Sequence, residues 1–259
     1  MSRLAPVVAA VLVVALVAHG TPDYGVTAGQ ITTYQLKDLA ELAARLGSID
    51  THDRRGDVVL LDSFEDGIPR WDGSTASGVT AVVAPSMRYA RHGRYSLRLV
   101  TGTAAPTLAQ ARCPWAAPAI SPLGLELAWI VPTAPGTLTV ELYLYDGTTL
   151  FTPAWQYLIA TTAFQFRNNA GVMTTLDTVN LNFNPPLFHV VKMVCDFTTS
   201  RYSRIILNNR TYTAGLTALP SQADATTPRL EIRLSHDRAG VGALETFIDD
   251  VILTQNEPV

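Results

Sequence analysis

The chain has 259 residues, of which 47% are hydrophobic and 16% charged, and its formal net charge at pH 7 is −3. This length is sufficient for one large domain with a substantial core, and a second full domain is not required. The slightly acidic balance gives no indication of a nucleic-acid partner, so none is expected.

The first predicted element is an apolar run at residues 4–18, which follows Arg3 and ends in small residues at Ala18 and Gly20. Its proportions are those of a signal peptide, and it is shorter than the roughly 20 residues that a membrane span needs. Two interpretations stay open: an export signal, or an arm buried against neighbouring subunits. Membrane association is expected only if this run is an uncleaved anchor.

A short helix is predicted at residues 33–46, because Leu36, Leu39, Leu42 and Leu46 recur at three- and four-residue steps and Gly47 follows as a stop signal. A single apolar stripe must pack on the following domain or on another copy of the chain. These four leucines are therefore the predicted assembly contacts. Residues 1–57 are assigned to an apolar arm, linker and helix, and residues 58–259 to the domain.

From residue 58 onward the pattern is that of short β-strands. At residues 188–197, for example, Val190, Lys192 and Val194 alternate with Val191 and Met193, so that one face of the strand can be buried. Asp146-Gly147, Asn168-Asn169 and Asn208-Asn209 predict hairpin turns. Closely spaced turns are typical of an antiparallel sandwich. Strands are predicted at residues 58–63, 79–84, 96–101, 123–130, 138–145, 155–160, 163–167, 172–176, 188–197, 203–207, 229–235 and 245–253.

Three motifs mark the domain: residues 61–67 (LDSFEDG) followed by Trp71, residues 92–99 (HGRYSLRL) and residues 247–253 (FIDDVIL). In their order and spacing they resemble a concanavalin A-like (laminin-G-like) or carbohydrate-binding-module jelly roll. The resemblance implies an all-β, antiparallel jelly-roll β-sandwich, preceded here by an extended N-terminal arm and one short helix. The overall layout also resembles structural proteins of tailed-phage particles.

The resemblance further implies a structural calcium ion that ties the first and last strands together. Its ligands would be Glu65 with Asp249 or Asp250, and backbone carbonyl groups would complete the six to eight oxygen ligands that calcium requires. The residues themselves leave an alternative open, in which Glu65 belongs to a turn and Asp250 caps a strand end.

Aromatic residues suggest a sugar-stacking site. Trp115, in a Pro-rich loop, and Trp71 are the candidates for exposed rings, whereas Trp129 and Tyr143 lie in apolar strands and are expected in the core. Cys113 and Cys195 can form one disulfide or remain buried thiols.

The sequence contains no Glu-x-Asp-x-x-Glu run of the type common in concanavalin-like hydrolases. Glu126 and Glu141 are single carboxylates expected to point to solvent, and the histidines lie in no nucleophile motif. The protein is therefore predicted not to be an enzyme.

The leading hypothesis from these patterns is a non-catalytic structural protein on the surface of a virus particle, as a capsid decoration or tail-associated component. Its partners would be other proteins, in a homo-oligomer or with capsid and tail proteins, contacted through the N-terminal segment. The alternative is an exported carbohydrate-binding, lectin-like module, secreted or at the cell surface, that binds a glycan. The third hypothesis is a concanavalin-like glycosidase or lyase, which needs two carboxylates facing a cleft.

Overall fold

The computed structural model describes residues 53–76, 81–102, 108–116, 120–130, 136–182, 187–213, 217–238 and 243–259. The predicted helix with Leu36, Leu39, Leu42 and Leu46 lies outside the described residues, as does the apolar run at residues 4–18. Within the described ranges the regular secondary structure consists entirely of β-strands. These ranges contain no helix that is long and apolar enough to cross a membrane.

The strands follow one another along the whole described part of the chain. Their bounds are β1 Asp57–Asp62, β2 Asp72–Ala76, β3 Val82–Ser86, β4 Ser96–Val100, β5 Leu108–Ala116, β6 Pro122–Trp129, β7 Gly136–Tyr145, β8 Thr149–Phe151, β9 Ala154–Leu158, β10 Ala163–Arg167, β11 Met173–Thr178, β12 His189–Asp196, β13 Arg201–Leu207, β14 Arg210–Tyr212, β15 Ser221–Ala223, β16 Arg229–Arg238 and β17 Glu245–Gln255.

These strands form two antiparallel sheets. Sheet A has the order β14-β13-β12-β6-β17-β4-β3, with β1 paired to β17. Sheet B has the order β11-β10-β9-β7-β16-β5-β2, with β8 paired to β7 and β15 paired to β8. At the centre of both sheets, neighbouring strands are distant in the sequence (β12-β6-β17-β4 in sheet A and β7-β16-β5 in sheet B), as in a jelly roll. The predicted all-β, antiparallel jelly-roll β-sandwich is confirmed.

The core lies between the sheets and is built from alternate residues of each central strand. On β7, Leu138, Val140 and Leu142 are fully buried, and the residues between them face outward. Trp129 of sheet A packs against Trp155 of sheet B with 6.0 Å between ring centroids. Trp129 therefore lies in the core as predicted, and each such buried side chain stabilises the fold by about 1.5–3 kcal/mol.

The predicted hairpin turns are present. Gly147 (φ 99°) lies between β7 and β8, and Asn208 (φ 50°) begins the turn between β13 and β14. Both backbones are left-handed, a conformation that glycine and asparagine adopt at low cost. Asn168 begins the turn between β10 and β11, where its N–H donates to the carbonyl of Val172.

The region predicted as a Pro-rich loop around Trp115 is instead a nine-residue strand, β5. Its buried positions are the small residues Ala109, Ala111 and Cys113, so its apolar alternation is weak in the sequence. β2 pairs only with residues 108–112, so Pro114 lies where β5 has one partner strand, a position that tolerates proline. The short strands β2, β8 and β15 were likewise not predicted.

Of the two interpretations of the cysteines, the structure shows buried thiols. Cys113 lies on β5 in sheet B and Cys195 on β12 in sheet A, and both are free.

Candidate functional site

The outer face of sheet B is polar across its central strands. Because the side chains of a strand alternate between its two faces, the residues between the buried positions of β5, β16, β7, β9 and β10 point away from the core. We call this surface the outer polar face. It consists of Gln110, Arg112, Thr139, Glu141, Tyr143, Tyr145, Gln156, Gln165, Arg167, Arg229, Glu231, Arg233 and Ser235.

One row of amide and hydroxyl groups crosses this face at right angles to the strands. Cross-strand register aligns the row in the order Gln110, Ser235, Thr139, Gln156, Gln165 and Thr175. Gln110 Nε2 donates to Ser235 Oγ at 2.8 Å, and Gln156 Nε2 donates to Gln165 Oε1 at 2.5 Å. Gln165 Nε2 in turn donates to Thr175 Oγ1 at 2.9 Å. Strands lie about 4.8 Å apart, so this amide–hydroxyl row is about 24 Å long.

Two glutamates lie beside the row, each held by an arginine. Arg233 Nε donates to Glu231 Oε1 at 2.6 Å, and the guanidinium of Arg167 donates to Glu141 Oε1. Only 6% of Glu231 and 8% of Glu141 is exposed. The expectation that Glu141 is solvated was therefore wrong, because Arg167 shields its carboxylate. It was also wrong for Glu126, which is 3% exposed.

Tyrosine and arginine side chains stack on the same face. The guanidinium carbon of Arg233 lies 3.7 Å from the Tyr143 ring centroid, and that of Arg229 lies 4.4 Å from the Tyr145 ring centroid. Such cation–π contacts fix the orientation of both partners. Tyr143, expected in the core, instead points outward. Burial, with Glu141 nearby, raises the pKa of its hydroxyl, so Tyr143 is a hydrogen-bond donor at neutral pH.

The two tryptophans proposed for sugar stacking are not on this face. Trp71 is 4% exposed, its ring centroid lies 5.8 Å from that of Phe64, and its indole N–H donates to Asp62 Oδ2 at 2.9 Å. It therefore presents no ring to solvent. Trp115 lies on the inward side of β5, partly buried against the core. The structure does not bring the two rings together into one platform.

The three predicted calcium ligands all contact one loop, the segment before β4. Glu65 Oε1 accepts hydrogen bonds from the N–H groups of Arg94 (2.7 Å) and Tyr95 (2.8 Å). Asp249 Oδ2 accepts from the N–H groups of Arg91 (2.7 Å) and His92 (3.3 Å). This arrangement ties the loop to β17 and to the chain after β1.

Asp250 is bound by side chains of the same loop. Its Oδ2 accepts from the guanidinium of Arg91 at 3.2 Å and lies 2.7 Å from Nδ1 of His92. Its backbone is left-handed (φ 51°), and it lies in a bulge where the pairing of β17 with β6 shifts register.

These contacts bear on the calcium prediction. Oxygens of Glu65, Asp249 and Asp250 already accept from N–H groups or a guanidinium, and Asp250 Oδ1 is buried without a hydrogen-bond partner. Calcium requires six to eight oxygen ligands, and most of these carboxylate oxygens already serve as hydrogen-bond acceptors. Across the described ranges there is no group of three or more histidine, cysteine, aspartate or glutamate side chains arranged to hold a metal. A calcium ion held by Glu65 with Asp249 or Asp250 therefore stays a prediction.

No protein-family model matches the sequence, and a comparison with curated proteins finds no match. Solved structures are similar in fold. An endo-β-1,4-glucuronan lyase from the fungus Trichoderma reesei aligns with a TM-score of 0.53 and 8% identity, over 77% of this chain and 96% of that chain. A Bacillus subtilis protein of unknown function with a galectin-like fold aligns with a TM-score of 0.50 and 9% identity, over 78% of this chain and 97% of that chain.

A structure of carbohydrate-binding modules from the β-sandwich superfamily aligns with a TM-score of 0.45 and 13% identity, over 78% of this chain and 64% of that chain. Likeness at these identities shows the fold alone, an antiparallel jelly-roll β-sandwich, and does not assign a function to it. None of these similarities links the chain to proteins of virus particles.

Proposed function

We propose that the protein is a carbohydrate-binding module that holds a glycan across the outer polar face of sheet B. The observation that carries this proposal is the amide–hydroxyl row. Sugar hydroxyl groups both donate and accept hydrogen bonds, and glutamine amides, with serine and threonine hydroxyls, offer both functions in one line. A row about 24 Å long suits an extended chain of several sugars better than a single small ligand.

Binding without cleavage is the better-supported form of this function. Both glutamates on the face are engaged by arginines, so neither carboxylate is free to approach a glycosidic oxygen. The prediction that the protein is not an enzyme is kept as part of the proposal.

One observation favours glycan cleavage as a second candidate. Glu141 lies opposite Arg233, and Glu231 lies opposite Tyr143, so the two glutamates are diagonal neighbours on β7 and β16. Diagonal neighbours are about 7–8 Å apart, close enough for their carboxyl groups to flank one glycosidic bond. Release of reducing ends or unsaturated sugars from a bound polysaccharide, lost in Glu141→Gln, would establish this candidate.

The virus-particle hypothesis depends on residues 1–57, and its predicted contacts at Leu36, Leu39, Leu42 and Leu46 lie outside the described residues. It stays a prediction, and the proposed partner is a glycan in place of capsid or tail proteins.

A module that binds polysaccharide acts where the polymer is, so we place it outside the cell. The signal-like run at residues 4–18 fits that location.

Affinity electrophoresis in gels containing soluble plant, fungal or bacterial polysaccharides tests the proposed function. We expect at least one polymer to retard the wild-type protein, and Gln156→Ala to weaken this binding about tenfold or more, because it interrupts the row. Asn209→Ala is the matched control, since it removes an exposed amide from a turn of sheet A. Absence of retardation in every gel, or equal binding by Gln156→Ala, would overturn the proposal.

A further inference from the structure

Arg112 is the arginine of the outer polar face that lacks a partner. Its Nε is buried and has no hydrogen-bond partner. Among the residues that the structure describes, no carboxylate lies within ion-pair distance of its guanidinium. The other three arginines of the face are all engaged: Arg167 by Glu141, Arg233 by Glu231 and Tyr143, and Arg229 by Tyr145.

The neighbours of Arg112 make its unpaired guanidinium unfavourable for the stability of the sheet. In the pairing of β16 with β5, Arg112 lies directly opposite Arg233, and like charges in that position destabilise a sheet. On its other side Arg112 lies opposite Asp72 of β2, which is exposed and forms no ion pair with it. A partly buried guanidinium beside a second guanidinium is a site in which an anion lowers the free energy of the folded protein.

The position of Arg112 relates it to the amide–hydroxyl row. Arg112 and Gln110 are two residues apart on the same face of β5, a separation of about 7 Å along the strand. A sugar ring that contacts Gln110 and Ser235 with its hydroxyl groups would therefore place a substituent beside Arg112.

We propose that the glycan is acidic, and that Arg112 binds the carboxylate of a uronic acid. This inference rests on the proposed function and names the class of sugar that the same face takes. A guanidinium donates two parallel hydrogen bonds to a carboxylate, a geometry that a neutral hydroxymethyl group cannot accept. Arg233, held by Glu231, adds positive charge on the adjacent strand.

The test compares each polyuronate with its carboxyl-reduced form, which differs only in the oxidation state at C6. Polyglucuronate, polygalacturonate and alginate are the probes, and affinities are measured for the wild type, Arg112→Met and Arg201→Met. Arg201 is an exposed arginine of sheet A, so its replacement removes the same charge away from the face. Thermal unfolding of each variant checks that the fold is retained.

We expect the wild type to bind at least one polyuronate about tenfold or more tightly than its reduced form. Arg112→Met should lose this preference while still binding the reduced polymer, and Arg201→Met should keep it. Equal binding of both forms, or a preference that survives in Arg112→Met, would overturn the acidic-glycan inference and leave the proposed function intact. Failure to bind any polysaccharide, charged or neutral, would overturn both.

Discussion

Lys192 and Glu257 form an ion pair, 2.7 Å from Nζ to Oε1, in which neither side chain is exposed to solvent. Lys192 Nζ also donates to the backbone carbonyls of Asp53 (2.9 Å) and Arg55 (3.0 Å). Arg204 donates to the second oxygen of Glu257 at 2.5 Å. The pair therefore fastens the chain before β1 and the chain after β17 to the centre of sheet A.

Replacement of Glu257 should destabilise the sandwich strongly. Glu257→Gln removes the nearer of the two carboxylates that Lys192 and Arg204 share and leaves them only Asp53 Oδ2, at 3.5 Å and 3.4 Å. Breaking a buried pair on one side costs about 3–5 kcal/mol. Urea unfolding gives the change in the free energy of unfolding. The double variant Lys192→Met with Glu257→Met should recover part of the loss, because it removes one of the two buried cations and leaves Asp53 to pair with Arg204.

The matched control breaks an ion pair at the surface. Arg210 NH1 lies 2.8 Å from Asp177 Oδ2, with Arg210 exposed and Asp177 partly exposed to solvent, and the same oxygen accepts from the Tyr212 hydroxyl at 2.8 Å. Asp177→Asn should have a much smaller effect than Glu257→Gln, because water screens the exposed pair. Losses of equal size in the two variants would show that burial is not what makes the Lys192–Glu257 pair important.

The local features of this fold could be predicted from the sequence. Alternation of apolar and polar residues located most of the central strands, and Asn208-Asn209 located a turn, because each is determined by neighbouring residues. β5 was missed because its buried residues, among them Ala109 and Ala111, are too small to stand out, and Pro114 suggested a loop.

The candidate site was harder to predict, because it depends on which strands are neighbours. The alternation of polar and apolar residues at 229–235 (RLEIRLS) predicts that Glu231 and Arg233 lie on the same outward face of the strand. Nothing in that pattern places Arg233 over Tyr143, since β16 and β7 are far apart in the sequence. Tyr143 was assigned to the core because apolar residues flank it on both sides.

Asp249 should make stability fall as pH rises. Burial, with Asp250 beside it, raises the pKa of the Asp249 carboxyl group from 3.8 to about 7. Between these values the folded protein keeps a proton that the unfolded chain has lost. The stabilisation is complete below about pH 4 and is lost as pH rises toward 7. Because His236 also changes protonation across this range, the test is the difference in the free energy of unfolding between the wild type and Asp249→Asn, which should decrease as pH rises from about 4 to about 7. A difference that does not change with pH would contradict the assignment.

His236 should act in the opposite direction. Burial lowers the pKa of its imidazole from 6.5 to about 4, so between these values the unfolded chain binds a proton that the folded protein excludes. Its stabilisation is complete above about pH 6.5 and is lost as pH falls toward 4. The same series with His236→Leu should give a stability that declines more steeply with rising pH than in the wild type. A slope unchanged by this replacement would rule out His236 as the compensating group.

The two cysteines should be unreactive in the folded protein. Cys113 and Cys195 are buried on different sheets, and burial raises the pKa of the Cys113 thiol to about 11 and that of Cys195 well above its usual value. The thiolate is the reacting form, so both access and ionisation oppose modification. Without reductant, a thiol-specific chromogenic reagent should label neither cysteine in buffer and both in denaturant. Labelling of neither in denaturant would mean that a disulfide links the sheets, which would contradict the buried-thiol arrangement.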